Sequence, residues 1–258
     1  MTTTGRPPAD LPIPPPELRK LVGPTAPEPF DNPTGDLIFP DVPERAYAAV
    51  FDFGCGCGRL ARQLMQQRLR PRRYIGVDPH KGLVDWCRTH LTPHAPEFAF
   101  RHHDVFHEFV NPNGRLAPIA LPAADQEITL FIAWSVFTHL LEPDADFYLG
   151  ELARVLSRGG VAVTTWFLFD KQEFPMMQSF QNTLFVNDFD PTNAVLFDRG
   201  WLCSRAEQHG LRITRILPPA IRGFQWTIEL QKSDGSGAPH VDFPEDRAPY
   251  GLARPPVG

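Results

Sequence analysis

No run of the 258 residues is long and apolar enough to span a bilayer, which argues against a membrane-embedded protein. Cysteine is scarce. Cys55, Cys57, Cys87 and Cys203 are scattered over expected elements and one glycine-rich loop. They form no paired framework, so a disulfide-stapled secreted scaffold is excluded and a reducing cytosol fits. An excess of cations is also missing: 25 Lys and Arg face 30 Asp and Glu, giving a net charge of -5 and a pI near 6.0. Without a broad basic field, nucleic acid is not an expected partner and small substrates are favoured. The opening MTTTGRPPAD lacks the charged-then-apolar order of a secretory leader, so a cytoplasmic location is expected. No internal repeat is visible.

What is present fits one α/β core. A hydrophobic share of 42% over this length can bury a sizeable single domain, here expected over residues 44–232. Both ends differ in composition. Twelve prolines fall in the first 43 residues, so residues 1–43 should be extended and in part mobile. Residues 17–43 carry LRKLVG and FDNPTGDLIF, whose apolar side chains imply docking, either over a ligand cleft or as plain surface packing. Residues 233–258 are rich in Gly, Pro and charge and read as a disordered tail.

The densest signal is VFDFGCGCGR, Val50 to Arg59. An apolar run, as of a strand buried in a parallel sheet, reaches Asp52, and Gly54, Gly56 and Gly58 then let the backbone approach a ligand closely. Leu60, Ala61, Leu64, Met65 and Leu69 follow at helical spacing, with Arg62, Gln63, Gln66 and Gln67 on the other face. YIGVD is a second buried strand ending in Asp78, twenty residues after Gly58, where a carboxylate is placed to bind two ribose hydroxyls. A dinucleotide fingerprint counted from Gly54 would need its third glycine where Arg59 stands; counted from Gly56 the third position is Ala61, a tolerated substitute preceded by Gly58.

The order Asp-x-Gly-x-Gly-x-Gly resembles motif I of the class I S-adenosylmethionine-dependent methyltransferases, and further matches follow in sequence. FAFRHHD is similar to the third strand and EITLFIAW to the fourth; SVFTHL, ELARVLSRGG and VAVTTWFLF follow as the substrate-side run, the helix with its glycine turn at Gly159, and strand five. The resemblance covers about residues 47–232. It implies a Rossmann-like, mostly parallel sheet of seven strands with an antiparallel last strand and helices on both faces. It also implies S-adenosyl-L-methionine as cofactor, held by Asp52, Gly54, Cys55, Gly56, Gly58 and Arg59 around its amino-acid end and by Asp78 and Pro79 at the ribose. His103, Asp104 and Val105 are implied near the adenine, with Ala133, Trp134 and Ser135 along the cleft.

Residues 170–193 form an insertion longer than a plain connection requires, as a substrate lid would be. Its Phe174, Met176, Met177, Phe180, Phe185 and Phe189 suit either a pocket wall or the core of a helical hairpin. A helix from about Ala194 to His209 should follow. For proton removal from an acceptor hydroxyl, His139 is the preferred general base and Asp170 the second catalytic candidate; a helix-start histidine bonded to backbone is the competing reading. A divalent ion such as magnesium near His139, Asp170 or Glu142 is left open, with no dedicated ligand cluster and no metal ligand assigned. The expected function is methyl transfer to a hydroxyl of a small or oligosaccharide acceptor, a sugar or glycoside in glycan or glycolipid (polysaccharide) biosynthesis, on a chain that could form a homo-oligomer. The alternatives are O- or N-methylation of a secondary metabolite, a nicotinamide oxidoreductase, or a silent cofactor-binding partner of another enzyme.

Overall fold

Two compact units divide the chain, residues 1–132 and 133–258, in a computed structural model that describes residues 11–187, 189–219, 224–232 and 241–244. In the first unit a one-turn helix α1 (Pro16–Arg19) precedes strand β1 (Ala49–Phe53), helix α2 (Arg59–Gln66), β2 (Arg73–Asp78), helix α3 (Lys81–His90), β3 (Phe98–His102) and β4 (Ile128–Ala133), whose last residue opens the second unit. β2 and β4 flank β1 and β3 lies outside β2, all parallel, with Asp52 opposite Gly76 and Asp78 opposite His102. Strands buried on both faces need apolar sequence throughout, and β1 and β2 supply it. Phe51 stacks on Phe131 at 5.3 Å and Tyr74 on Phe98 at 4.6 Å between ring centroids.

The polar face of α2 is largely covered by the N-terminal segment. Arg62 is buried and gives its guanidinium to the Pro-rich segment: Nε to the Pro12 carbonyl (3.1 Å), Nη2 to Leu11 (2.9 Å), and Nη1 to Phe30 (2.9 Å) and the Asp31 carboxylate. Gln63 donates to the Pro29 carbonyl (2.7 Å), while Gln66 and Gln67 accept from the backbone N–H groups of Asn32 and Ile38. Proline removes N–H donors but leaves carbonyls that need partners, and an Arg/Gln face provides them. Residues 11–38 thus form a strap fastened to α2. Replacing Arg62 by Met should strand three carbonyls and one carboxylate, costing about 3 kcal/mol; thermal melting should fall, and limited proteolysis should cut residues 11–31 first.

In the second unit helix α4 (Glu142–Val155) leads into β5 (Leu156–Phe169), followed by β6 (Thr183–Phe185), β7 (Val195–Asp198), helix α5 (Arg199–Gln208), β8 (Leu211–Leu217) and β9 (Trp226–Lys232). β5 pairs in parallel with β7 and antiparallel with β9, which also pairs antiparallel with β8; β6 runs antiparallel to β7. Trp166 is the centre of this core, stacked on Phe137 at 4.1 Å and edge-on to Phe197 at 5.3 Å. Asp146 on α4 takes the His209 imidazole at 2.9 Å.

The α/β, mostly parallel architecture with antiparallel final strands agrees with the sequence reading; three details differ. There are nine described strands, not seven, because the insertion contributes β6 and the start of the expected helix at 194 is extended as β7. Val195, Leu196 and Phe197 are apolar at consecutive positions and pair on β5, and the helix begins only where the Asp198 carboxylate accepts the Trp201 N–H (3.0 Å) as an N-cap. Gly159 has the expected left-handed backbone (φ 68°) but lies inside β5; α4 has already ended at Val155. β3 stops at His102, and Val105 bridges to Arg115 in the loop beyond. No described helix is long and apolar enough to cross a membrane. Of the expected tail, residues 241–244 are described: Val241 N–H bonds to the Ile213 carbonyl (3.0 Å) and Phe243 packs on Trp226. The remainder lies outside the described residues, as do residues 1–10 of the N-terminal segment.

Candidate active site

In the first unit the carboxyl ends of β1 and β2 converge on the glycine loop. Its backbone N–H groups point back into the protein: Gly54 and Cys55 donate to the Val77 carbonyl (2.8 and 3.0 Å), Gly56 to Asp78 Oδ2 (2.9 Å) and Gly58 to the Cys55 carbonyl (3.0 Å). A pyrophosphate cradle needs such groups free for the ligand. This loop spends them on its own shape, which suits a ligand without phosphate there. The shape also depends on close approach: a Cβ at Gly56 would sit 2.5 Å from Val22 Cγ1 of the strap, and Gly56 has φ 54°.

Asp52 is fully buried. Its Oδ2 accepts from the Tyr74 hydroxyl at 2.6 Å, and its Oδ1 has no partner. Burial pushes the Asp52 carboxyl up to about 7, partly countered by the Tyr74 hydrogen bond and the nearby Arg59 cation. Asp78 is also buried, and desolvation raises its pKa against the two N–H groups it accepts, from Gly56 and from His80 (2.8 Å). Each of its oxygens keeps a second lone pair for a hydroxyl.

The structure gathers the other predicted cofactor residues unevenly. Arg59, half-buried at the start of α2, lends its charge to Asp52. The Cys55 side chain packs against Gly76, and burial drives its thiol well above the usual range. Pro79 accepts from His102 Nε2 through its carbonyl (2.9 Å). His103 is buried edge-on to Phe53 at 5.8 Å and its N–H holds the Asp78 carbonyl (3.0 Å). Asp104 accepts from the Asn111 amide (3.1 Å), which also holds the Val105 carbonyl. Sequence reasoning treated Tyr74 as core alone; the short bond to Asp52 had no sequence signal beyond its position in β2.

The second unit holds the remaining predicted cofactor residues, Ala133, Trp134 and Ser135, and the acceptor-side candidates His139 and Asp170. Ala133 is buried, and Ser135 adopts a left-handed backbone (φ 59°), which a non-glycine residue tolerates only when held; its N–H bonds to Thr165 Oγ1 (2.7 Å) and its hydroxyl to Gln225 (2.9 Å). Trp134, half-buried, precedes it. His139 is exposed at the end of a 3-10 turn, and its Nδ1 meets the Thr192 carbonyl at 2.9 Å. Asp170 Oδ1 accepts the Gln172 N–H (2.9 Å). Among the described residues no bond joins Asp170 to His139, so the imidazole is oriented by a backbone carbonyl of the insertion. Three of the insertion's apolar side chains, Met176, Phe180 and Phe189, are largely exposed and fill no core, while Phe174 makes an edge-on ring contact with Phe169. Among the described residues no group of three or more His, Cys, Asp or Glu could hold a metal ion.

Residues 50–160 match the family model described as a methyltransferase domain. Among solved structures, the chain is similar to a SAM-dependent methyltransferase from Aquifex aeolicus, at 14% identity over 84% of this chain and 98% of that one, with a TM-score of 0.51. It is also similar to an S-adenosylmethionine-dependent methyltransferase from Mesorhizobium loti, at 13% identity over 74% and 93%, with a TM-score of 0.50. At these identities the likeness is one of fold.

Proposed function

We propose that the chain, which carries a match to a methyltransferase domain over residues 50–160, is a class I S-adenosylmethionine-dependent methyltransferase that methylates a hydroxyl of a small acceptor, a sugar or glycoside used in building glycans or glycolipids. The observation that carries cofactor use is the buried, unpartnered Oδ1 of Asp52 beside the glycine loop. It fits the α-ammonium of the methionyl end, and Asp78 fits the ribose hydroxyls; His103, Asp104 and Val105 fit the adenine side. When bound, the cofactor supplies an electrophilic methyl group on a sulfonium.

The chain's own residues must bind the acceptor, exclude water and remove a proton. A carbonyl can only accept, so in neutral His139 the proton sits on Nδ1, facing Thr192, and Nε2 is the acceptor nitrogen. That is the tautomer a general base requires. Asp170 Oδ2 has no partner among the described residues and can take an acceptor hydroxyl. The exposed Met176, Phe180 and Phe189 offer an apolar surface that suits the C–H face of a sugar ring or the apolar part of a glycoside.

The inward-turned loop N–H groups speak against a nicotinamide cofactor. Incubating the full chain with methyl-labelled cofactor and fractionated glycans, glycolipids and metabolites tests the proposal. Label on a glycan or glycolipid hydroxyl is expected. Label confined to aromatic or polyketide metabolites would move the protein to secondary metabolism, and cofactor binding without transfer to any fraction would mark a silent partner.

A further inference from the structure

Arg19, the last residue of α1, is 8% exposed, and its Nε and Nη1 are buried with no hydrogen-bond partner among the described residues. No carboxylate pairs with it among those residues. A guanidinium taken from water without an anion is expensive, and the described residues offer it none. Its neighbours fix where it lies. The Leu18 carbonyl faces the Cys57 thiol at 3.8 Å, and Leu18 and Val22 pack on the cluster of Phe30, Cys57 and Leu83. Val22 Cγ1 occupies the space a side chain at Gly56 would need. Arg19 is therefore held between two contacts with the glycine loop, close enough for its charge to act on Cys57. The other cation there, Arg59, already has Asp52 as its counter-charge.

We propose that Arg19 is the receptor for the α-carboxylate of the cofactor's amino-acid end, so that the strap completes the cofactor site. This rests on the methyltransferase reading. Asp52 and Arg19 then form a matched pair of receptors for a zwitterion: a buried carboxylate oxygen and a buried guanidinium, each with no hydrogen-bond partner among the described residues. The strap accordingly has a chemical role besides packing, and Arg62 holds it in place by fastening it to α2.

Titration calorimetry on the full chain with S-adenosylhomocysteine and with its decarboxylated counterpart tests this, because the second ligand keeps the ammonium and lacks the carboxylate. The wild type should bind the first about 10 to 100-fold more tightly, and Arg19→Met should lose that factor for the first ligand while binding the second unchanged. The melting temperature of ligand-free Arg19→Met should hold or rise, since an unpaired buried charge is removed. Equal loss for both ligands, or a fall in melting temperature with it, would assign Arg19 to structure and overturn the proposal, as would unchanged binding of S-adenosylhomocysteine. Failure of the wild type to bind S-adenosylhomocysteine at all would instead sink the methyltransferase reading itself.

Discussion

Affinity for S-adenosylhomocysteine should rise about tenfold per pH unit between pH 5 and 7 and level off above, because the Asp52 carboxyl titrates near 7 in the free protein. Binding an ammonium at Oδ1 requires the ionised form, so below that pH one proton must leave on binding. Calorimetry at pH 6 in buffers of different ionisation heat should detect close to one proton released. The same shift has the opposite sign for the empty protein. A carboxyl whose pKa is raised from 3.8 to about 7 by burial favours the protonated state. The stability of the ligand-free chain should therefore fall as pH rises from about 4 to about 7 and then flatten. Asp52→Asn should remove the Asp52 share of both dependences, leaving that of Asp78, whose pKa burial also raises, and weaken binding by about a hundredfold or more, since it leaves the cofactor's ammonium without its anion. PH-independent affinity in the wild type would refute the assignment of Asp52.

How much of this was legible in the sequence depends on whether a residue acts through its place in a pattern or through what it touches. Strand β1, the glycine turn, α2 and β2 follow from apolar runs, three alternate glycines and a helical spacing; the helix stops at Gln66, where Gln67 turns extended, so Leu69 lies beyond it and Pro71 is not what ends it. Asp52 and Asp78 are identifiable because each is a lone carboxylate in an apolar strand, where a charge needs a reason. The polar face of α2 was misleading in isolation: Arg62 and the glutamines have the spacing of a solvated surface, and only the proline-dense strap far earlier in the chain explains their burial. Arg19 carried no signal at all. In LRKLVG it is one of two adjacent cations, and nothing local distinguishes the buried Arg19 from the exposed Lys20. The start of the expected helix at 194 failed for a related reason, since a short apolar run takes its form from the strand it meets, here β5.

The insertion ties these observations to turnover through one hydrogen bond. Because Thr192 offers His139 a carbonyl, the segment that carries the exposed Phe180 and Phe189 also sets which imidazole nitrogen can take a proton. His139→Ala should lower kcat on the identified acceptor by about 10² to 10⁴-fold while leaving S-adenosylhomocysteine affinity within about twofold of the wild type. Alanine alone does not separate chemistry from tethering, since it removes both the base and the bond to Thr192. His139→Gln does: the amide NH₂ can still donate to the Thr192 carbonyl, but no group of the side chain can accept a proton near neutral pH. If His139 is the base, glutamine and alanine should be equally inactive, with glutamine restoring only the protection of residues 183–193 in hydrogen exchange. Recovery of kcat by glutamine would show that the imidazole matters as a tether, and the proton would then have to leave by another route, for which Asp170 is the candidate.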